Sequence, residues 1–317
     1  MRDPIHHRLD AAPDTVHWGY FSAALPPRLT IDSGDRVTIS AVSGGPDILP
    51  PPPLVVPQAQ RDIHAKVTDK MPGAILTGPV EVRGAKKGQT LQVDIEHIEP
   101  LCGWAYHSIR PLVGALPHDF DETRVIHLTV DEQRTAWRLP WGQQVPYKPF
   151  FGIMAVAPPA NWGKISSLPP RQNGGNIDNC ELGAGSTLYL PIFTDGALFS
   201  TGDGHGAQSD GEIGMACEAG LIGTFRLTVR DDMPLQWPMA ETPTHYITMA
   251  FDPDLDDCVV IALRLMLDLM VARTSLDRYQ AYAMMNLAAD LRVTQVANGD
   301  KGIHCMMHKK YFEPLPA

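Results

Sequence analysis

The sequence predicts a mainly β fold, sandwich- or barrel-like, with an α+β C-terminal portion, and three observations predict it. Short alternating apolar runs fill the first two thirds, turn residues break them at close intervals, and a helical period replaces the alternation only after residue 250. The 29 prolines and 27 glycines strengthen the second point, because long helices cannot run through most of that region. The expected parts are a β-rich segment 1–165, a β segment 166–250 that carries the candidate site, and an α+β segment 251–317.

Taken in order, "MRDPIHHRLD", with His6 and His7, reads as a frayed tail. "PRLTIDSGDRVTISAV" then places Leu29 and Ile31 before the turn residues 32–35, and Val37 and Ile39 after them: strand, turn, strand. Residues 49–61, "LPPPPLVVPQAQR", favour an extended polyproline stretch crossing the surface. "GPVEVRGAKKGQTLQVDIEHIEP" repeats the strand signal through Val80 and Val82, then Leu91, Val93 and Ile95. Proline-rich joints at 140–149 and 158–170 lead to apolar strands at 188–193 and 197–200. From Asp256 the apolar residues Val260, Leu263, Leu267, Met270 and Val271 recur at helical spacing. A second helix is expected from a Ser275 cap, carrying Leu276, Tyr279 and Leu287. "LRVTQVANGDKGIHCMM" returns to strand, turning at Asn298-Gly299.

Composition narrows the function. Apolar residues at 44% and charged residues at 20% describe a globular chain that can bury a core. A net charge of −10, without any Lys/Arg run longer than a pair, excludes nucleic acid as a natural partner. The sequence has neither a membrane-length apolar segment nor a signal-peptide core, so a cytoplasmic address is expected. Five scattered cysteines lack the close pairs of a zinc ribbon or redox motif and read as reduced thiols.

The segment that points to chemistry is "TGDGHGAQSDGE", residues 201–212. In extended backbone, Asp203 and His205 project to one side, as do Asp210 and Glu212, and a bend at Gly206 is expected to bring the pairs face to face. Imidazole plus carboxylates suits zinc and tolerates manganese or iron. Glycines at 202, 204, 206 and 211 are expected to permit positive φ. "GGNIDN" adds Asn176, Asp178 and Asn179 just before the strands that deliver the ribbon, which makes Asp178 the natural extra ligand. A plain turn or a calcium-stabilised loop would use the same residue types, although the spacing does not fit a twelve-residue calcium loop. "GDGHG" also lacks the following helix of a nucleotide-binding loop.

Other polar residues have weaker claims. His17 in "VHWGYF" reads as a packed core histidine more readily than a ligand, and His64, His245 and His304 carry no motif. Cys180 and Cys217 read as inert thiols, and Glu218 as a residue that orients ligands. "KISS" supplies Lys164 and Ser167 for a metal-free serine–lysine mechanism.

At these residues the chain resembles the acetamidase/formamidase family of amide hydrolases. The matching blocks are "HWGYFSAALPPRLTIDSGDRVTI", "LTGPVEVRGA", "FFGIMAVAPP", "GGNIDN", "STLYLPIF", "GALFSTGDGHGAQSDGE", "ETPTHYITM" and "LAADLRVTQVANGDKGIH", in order along nearly the whole chain. The resemblance implies hydrolysis of small aliphatic amides or lactams, a mostly β fold and a homo-oligomer, dimer or trimer. Three stretches depart from the family pattern: Ala74 stands where many members have a His before "LTGP", Gly206 and Ser209 alter the usual "GHAAQGDGE", and "CEAG" begins at Cys217.

On this reading Asp178, Asp203 and His205 hold a divalent metal, zinc with calcium as the alternative. Glu212 is the general base and acid, with Asp210 able to exchange roles with it. Asn176 and Gln208 orient the amide, and Trp104 and Phe151 wall a small apolar pocket. A non-catalytic metal- or ligand-binding β domain is the competing class.

Overall fold

The computed structural model describes residues 3–313. Its spine is an antiparallel pair of long strands, Thr90–Ile109 and Cys217–Arg230, paired from Glu218 opposite Tyr106 to Arg230 opposite Thr90 with register shifts at 219–221 and 224–225. Around it the described residues form an 18-stranded sheet and a separate two-stranded one. Inward-facing Val37, Ile39, Leu91, Val93, Phe225 and Leu227 alternate with more exposed neighbours and build one large core. That core draws residues from Leu9 to Met306, and a second cluster, from Ala250 to Met307, lies in the C-terminal portion.

The C-terminal portion packs helices on an antiparallel unit of His245–Asp252, Lys301–His308 and Asp290–Gln295. Helix α2, Leu255–Arg273, is capped by Asp254, whose carboxylate accepts the Asp256 N–H. Helix α3, Arg278–Ala288, starts at Asp277 with a reciprocal Asp277–Gln280 capping box, not at Ser275. The buried faces also differ from the expected stripe. Cys258, Ala262, Met266, Met270, Ala281 and Met285 point inward, while Val260, Val271, Tyr279 and Leu287 are exposed.

Two further expectations give way. Residues 49–61 are extended only in part, because helix α1, Gln58–Lys66, begins after Pro57 and buries Gln60 and Ile63. The segment holding His6 and His7 is no frayed tail: His6–Leu9 is a strand parallel to Arg36–Ala41, and His7 pairs with Asp35. No helix among the described residues is long and apolar enough to cross a membrane. All five cysteines are free thiols.

The glycine ribbon is the main correction. Residues Phe199–Ala207 form a mostly buried strand between Phe150–Ala155 and Ile75–Val82. Of the four glycines at 202, 204, 206 and 211, only Gly211 has positive φ, at 74°. The other three are glycines because a Cβ would collide: with the Ile75 carbonyl at 2.4 Å, the Ala219 carbonyl at 2.4 Å, and the Trp137 indole nitrogen at 2.3 Å, respectively. Gly206 is therefore a contact and not a hinge. Trp137 is fully buried, so Gly206→Ala is expected to destabilise the fold by about 1–3 kcal/mol, read as a lower urea midpoint at constant m-value.

Candidate functional site

Four segments converge on one imidazole. Asp203 and His205 lie two apart on the ribbon strand and present their side chains together. On one flank His205 stands opposite Glu218; on the other it stands opposite Phe150, whose ring meets the imidazole edge-on at 4.9 Å. Asp178 arrives just after the Gly174–Asn176 strand, and its N–H donates to the Gly152 carbonyl at 3.1 Å. Glu212 is carried back by pairing with the C-terminal unit: its N–H donates to Thr294 and its carbonyl accepts from Val296.

The hydrogen bonds fix which histidine nitrogen faces the acids. Gln208 Nε2 donates to the Asp178 carbonyl at 2.7 Å, so its Oε1 accepts from His205 Nδ1 at 2.8 Å. That bond assigns a proton to Nδ1 and turns Nε2 toward the acids. Nε2 then lies 3.4 Å from Asp203, 3.5 Å from Glu218 and 3.7 Å from Asp178 carboxylate oxygens. These separations are long for hydrogen bonds, but two ligand atoms on one tetrahedral ion, each ~2.1 Å from it, stand about 3.4 Å apart. Buried Asp178 Oδ1 and Glu212 Oε2 have no hydrogen-bond partner, as expected of oxygens reserved for a cation or a substrate.

The electrostatics agree with the geometry. Asp178, Asp203, Glu212 and Glu218 crowd one imidazole, and at an effective dielectric of about 20 two such charges 4 Å apart repel by about 4 kcal/mol. Burial lifts Glu212 to about 7 and Glu218 to about 8 against the opposing pull of His205. Burial, then Glu212, push Asp178 well above the carboxylate range. Burial disfavours a charged His205, yet Glu218, Asp203 and Asp178 together hold its pKa well above the histidine value. Every shift moves toward taking up positive charge. The backbone is strained at the same place: Asp178 and Asp203 adopt φ of 51° and 55°, a conformation that costs a non-glycine residue about 1–3 kcal/mol and concentrates at functional sites.

Among the residues singled out from the sequence, Asp178, Asp203, His205 and Glu212 meet, and Gln208 positions two of them. Asn176 is buried with its Oδ1 unpartnered, and its carbonyl and the Asp178 carboxylate share the Asn298 amide. Asp210 parts from Glu212: it turns to Arg292 at 3.5 Å, His304 at 3.7 Å and the Cys180 thiol at 3.3 Å. Trp104 and Phe151 wall nothing here. The Trp104 indole donates to Val55 beside a separate cavity, and Phe151 packs on Phe225 in the core.

Glu218 proves to be a member of the cluster, and Gly152 was missed altogether, although it lies against Asp178 and His205. His17 is a satisfied core histidine, bonded to the Tyr20 carbonyl at 2.6 Å and to Ser200 at 3.0 Å. Ser167 Oγ has no hydrogen-bond partner and Lys164 pairs with Asp69, so no serine–lysine dyad forms. Ala74 packs with Phe21, Leu76 and Ile153.

Beside Glu212 opens a cavity of about 720 Å³, lined also by Gln208, Asp210 and Lys148 and otherwise largely apolar.

Comparison with known proteins shows what the chain around this cluster is similar to. The Acetamidase/Formamidase family model matches residues 161–298, the stretch that contains Asp178, Asp203, His205, Glu212 and Glu218. The chain is similar to the acetamidase of Mycolicibacterium smegmatis, 28% identical over 216 residues that cover 50% of this chain and 53% of that protein. It thus spans about half the length of the curated relatives it matches. Among solved structures it is similar to the acetamidase from Bacillus halodurans, at 27% identity and a TM-score of 0.83 over 98% of this chain and 100% of that one. The acetamidase from Yersinia enterocolitica is similar as well, at 26% identity and a TM-score of 0.86 over 99% and 94% of the two chains.

Proposed function

The chain belongs to the acetamidase/formamidase family, and from that premise we propose that it hydrolyses a linear amide to a carboxylate and ammonia with the help of a divalent cation. The observation that carries this reading is the buried His205 Nε2, turned by the Gln208 bond at Nδ1 to face three carboxylates.

An amide resists water because nitrogen donates into the carbonyl and leaves poorly. Asp178, Asp203 and His205, with Glu218 beside them, would hold the ion, and zinc suits an imidazole with carboxylates at these separations. Such an ion, when bound, supplies Lewis acidity that polarises a carbonyl and eases the ionisation of water.

The remaining work falls to the chain. Glu212, at the cavity wall with a free buried oxygen, takes a proton from the attacking water and returns it to the departing nitrogen. Gln208 accepts from Nδ1 and so holds the His205 ring with Nε2 toward the ion site, and Asn176 offers its unpaired Oδ1 to an amide N–H.

The experiment is an ammonia assay over formamide, acetamide and propionamide, with ring opening of a γ-lactam followed as the amino acid it forms, joined to elemental analysis and chelator dialysis. Ammonia release that is lost on dialysis and restored by zinc is expected. Full activity after complete metal removal overturns the metal role and leaves amide hydrolysis standing. A metal-loaded protein that hydrolyses neither the linear amides nor the lactam is a binder and overturns the enzymatic reading.

A further inference from the structure

The cavity beside Glu212 is far larger than formamide or acetamide needs. At about 30 Å³ for each water-sized heavy atom, acetamide fills roughly 120 Å³, a small part of the 720 Å³ available. The walls are apolar: Ile109, Ile126, Leu128, Leu139 and Val145 face it, and the exposed Trp141 and Ile213 continue that surface outward. Apolar residues kept at 59% and 70% exposure beside a cavity extend its usable length. The charged wall residues, Asp210 and Glu212 against Lys148, include both signs, so no single charge is selected.

We propose that the preferred substrate is a primary amide with a bulky, uncharged apolar acyl group, of hexanoyl or phenylacetyl size, seated in this cavity with its carboxamide against Glu212. The inference rests on the amide-hydrolase reading and specifies its substrate class. Apolar side chains cannot grip a one- or two-carbon amide, because it buries too little surface against them. Each further buried methylene multiplies binding about fourfold, until the cavity is filled.

The test is a kcat/KM series on the metal-loaded protein: formamide, acetamide, propionamide, hexanamide and phenylacetamide. Hexanamide and phenylacetamide are expected to exceed acetamide by about 10- to 250-fold. Ile126→Trp narrows the cavity from the strand opposite His107 and is expected to lower the phenylacetamide-to-acetamide ratio by about tenfold or more. Efficiency that is flat or falls with acyl size overturns the inference and leaves amide hydrolysis intact, as does a ratio unmoved by Ile126→Trp. Failure to hydrolyse any of the five amides overturns the hydrolase reading itself.

Discussion

Glu212→Gln is expected to lower amide turnover by about two to four orders of magnitude while the metal content and the fold stay as they were. Glutamine keeps the shape and one oxygen of glutamate but cannot accept a proton, so the loss isolates proton transfer. The local environment makes this test unusually clean. Glu212 and Asp178 are two acids in mutual contact, each pushed upward by burial. An amide N–H at position 212 gives the Asp178 carboxylate a donor where it now meets another acid, so the thermal midpoint should hold or rise. Steady-state kinetics with elemental analysis and a thermal scan read all three quantities. Asp210→Asn serves as the companion: its carboxylate is committed to Arg292 and His304, and a loss under about tenfold is expected. Turnover unchanged in Glu212→Gln removes Glu212 from the mechanism. Loss of metal along with turnover makes it a ligand.

The sequence disclosed most of the chemistry and little of its geometry, for physical reasons that differ by residue. Strand signals such as Val37 with Ile39, or Val93 with Ile95, are local and were legible. Partner choice is not local. Arg36–Ala41 pairs with Cys217–Arg230 across nearly 200 residues, and another pairing distant in sequence sets Phe150 opposite His205. Strand parity also fails where both faces are covered. Every residue of Phe150–Ala155 is buried, so alternation does not reveal that Phe150, and not Phe151, meets His205. Helix α2 is apolar on most sides, so of the expected stripe Val260, Leu263, Leu267, Met270 and Val271 the core takes Leu267 and Met270, and adds the smaller or more flexible Cys258, Ala262 and Met266. Helix α1 buries a single aliphatic side chain, Ile63, and so offers almost no period to detect. Composition misled at the ribbon: four glycines look like flexibility, yet three of them mark close packing in a sheet.

That lesson about glycine yields the second large effect. Gly152 lies in a fully buried strand, and a Cβ there would stand 2.3 Å from Asp178 Oδ1, 2.8 Å from His205 Cε1 and 2.9 Å from His205 Nε2. Neither neighbour can yield without giving up its role. The Asp178 backbone is tied to the Gly152 carbonyl, and His205 is held by Gln208 and by the edge of Phe150. Gly152→Ala is therefore expected to push the carboxylate and the imidazole apart and lower activity by about 100-fold or more, since small misplacements of reacting groups carry penalties of that size. Metal content should fall with it, and stability should drop by about 1–3 kcal/mol from overpacking. Stability alone cannot make the case, which is why Gly206→Ala is the control: its added methyl strikes Trp137, so it should lose comparable stability and keep its metal. A Gly152→Ala protein that binds metal and turns over amide normally would mean that Asp178 and His205 do not act together beneath this strand. A protein that loses metal and turnover while Gly206→Ala keeps both would tie the chemistry to one missing methyl group.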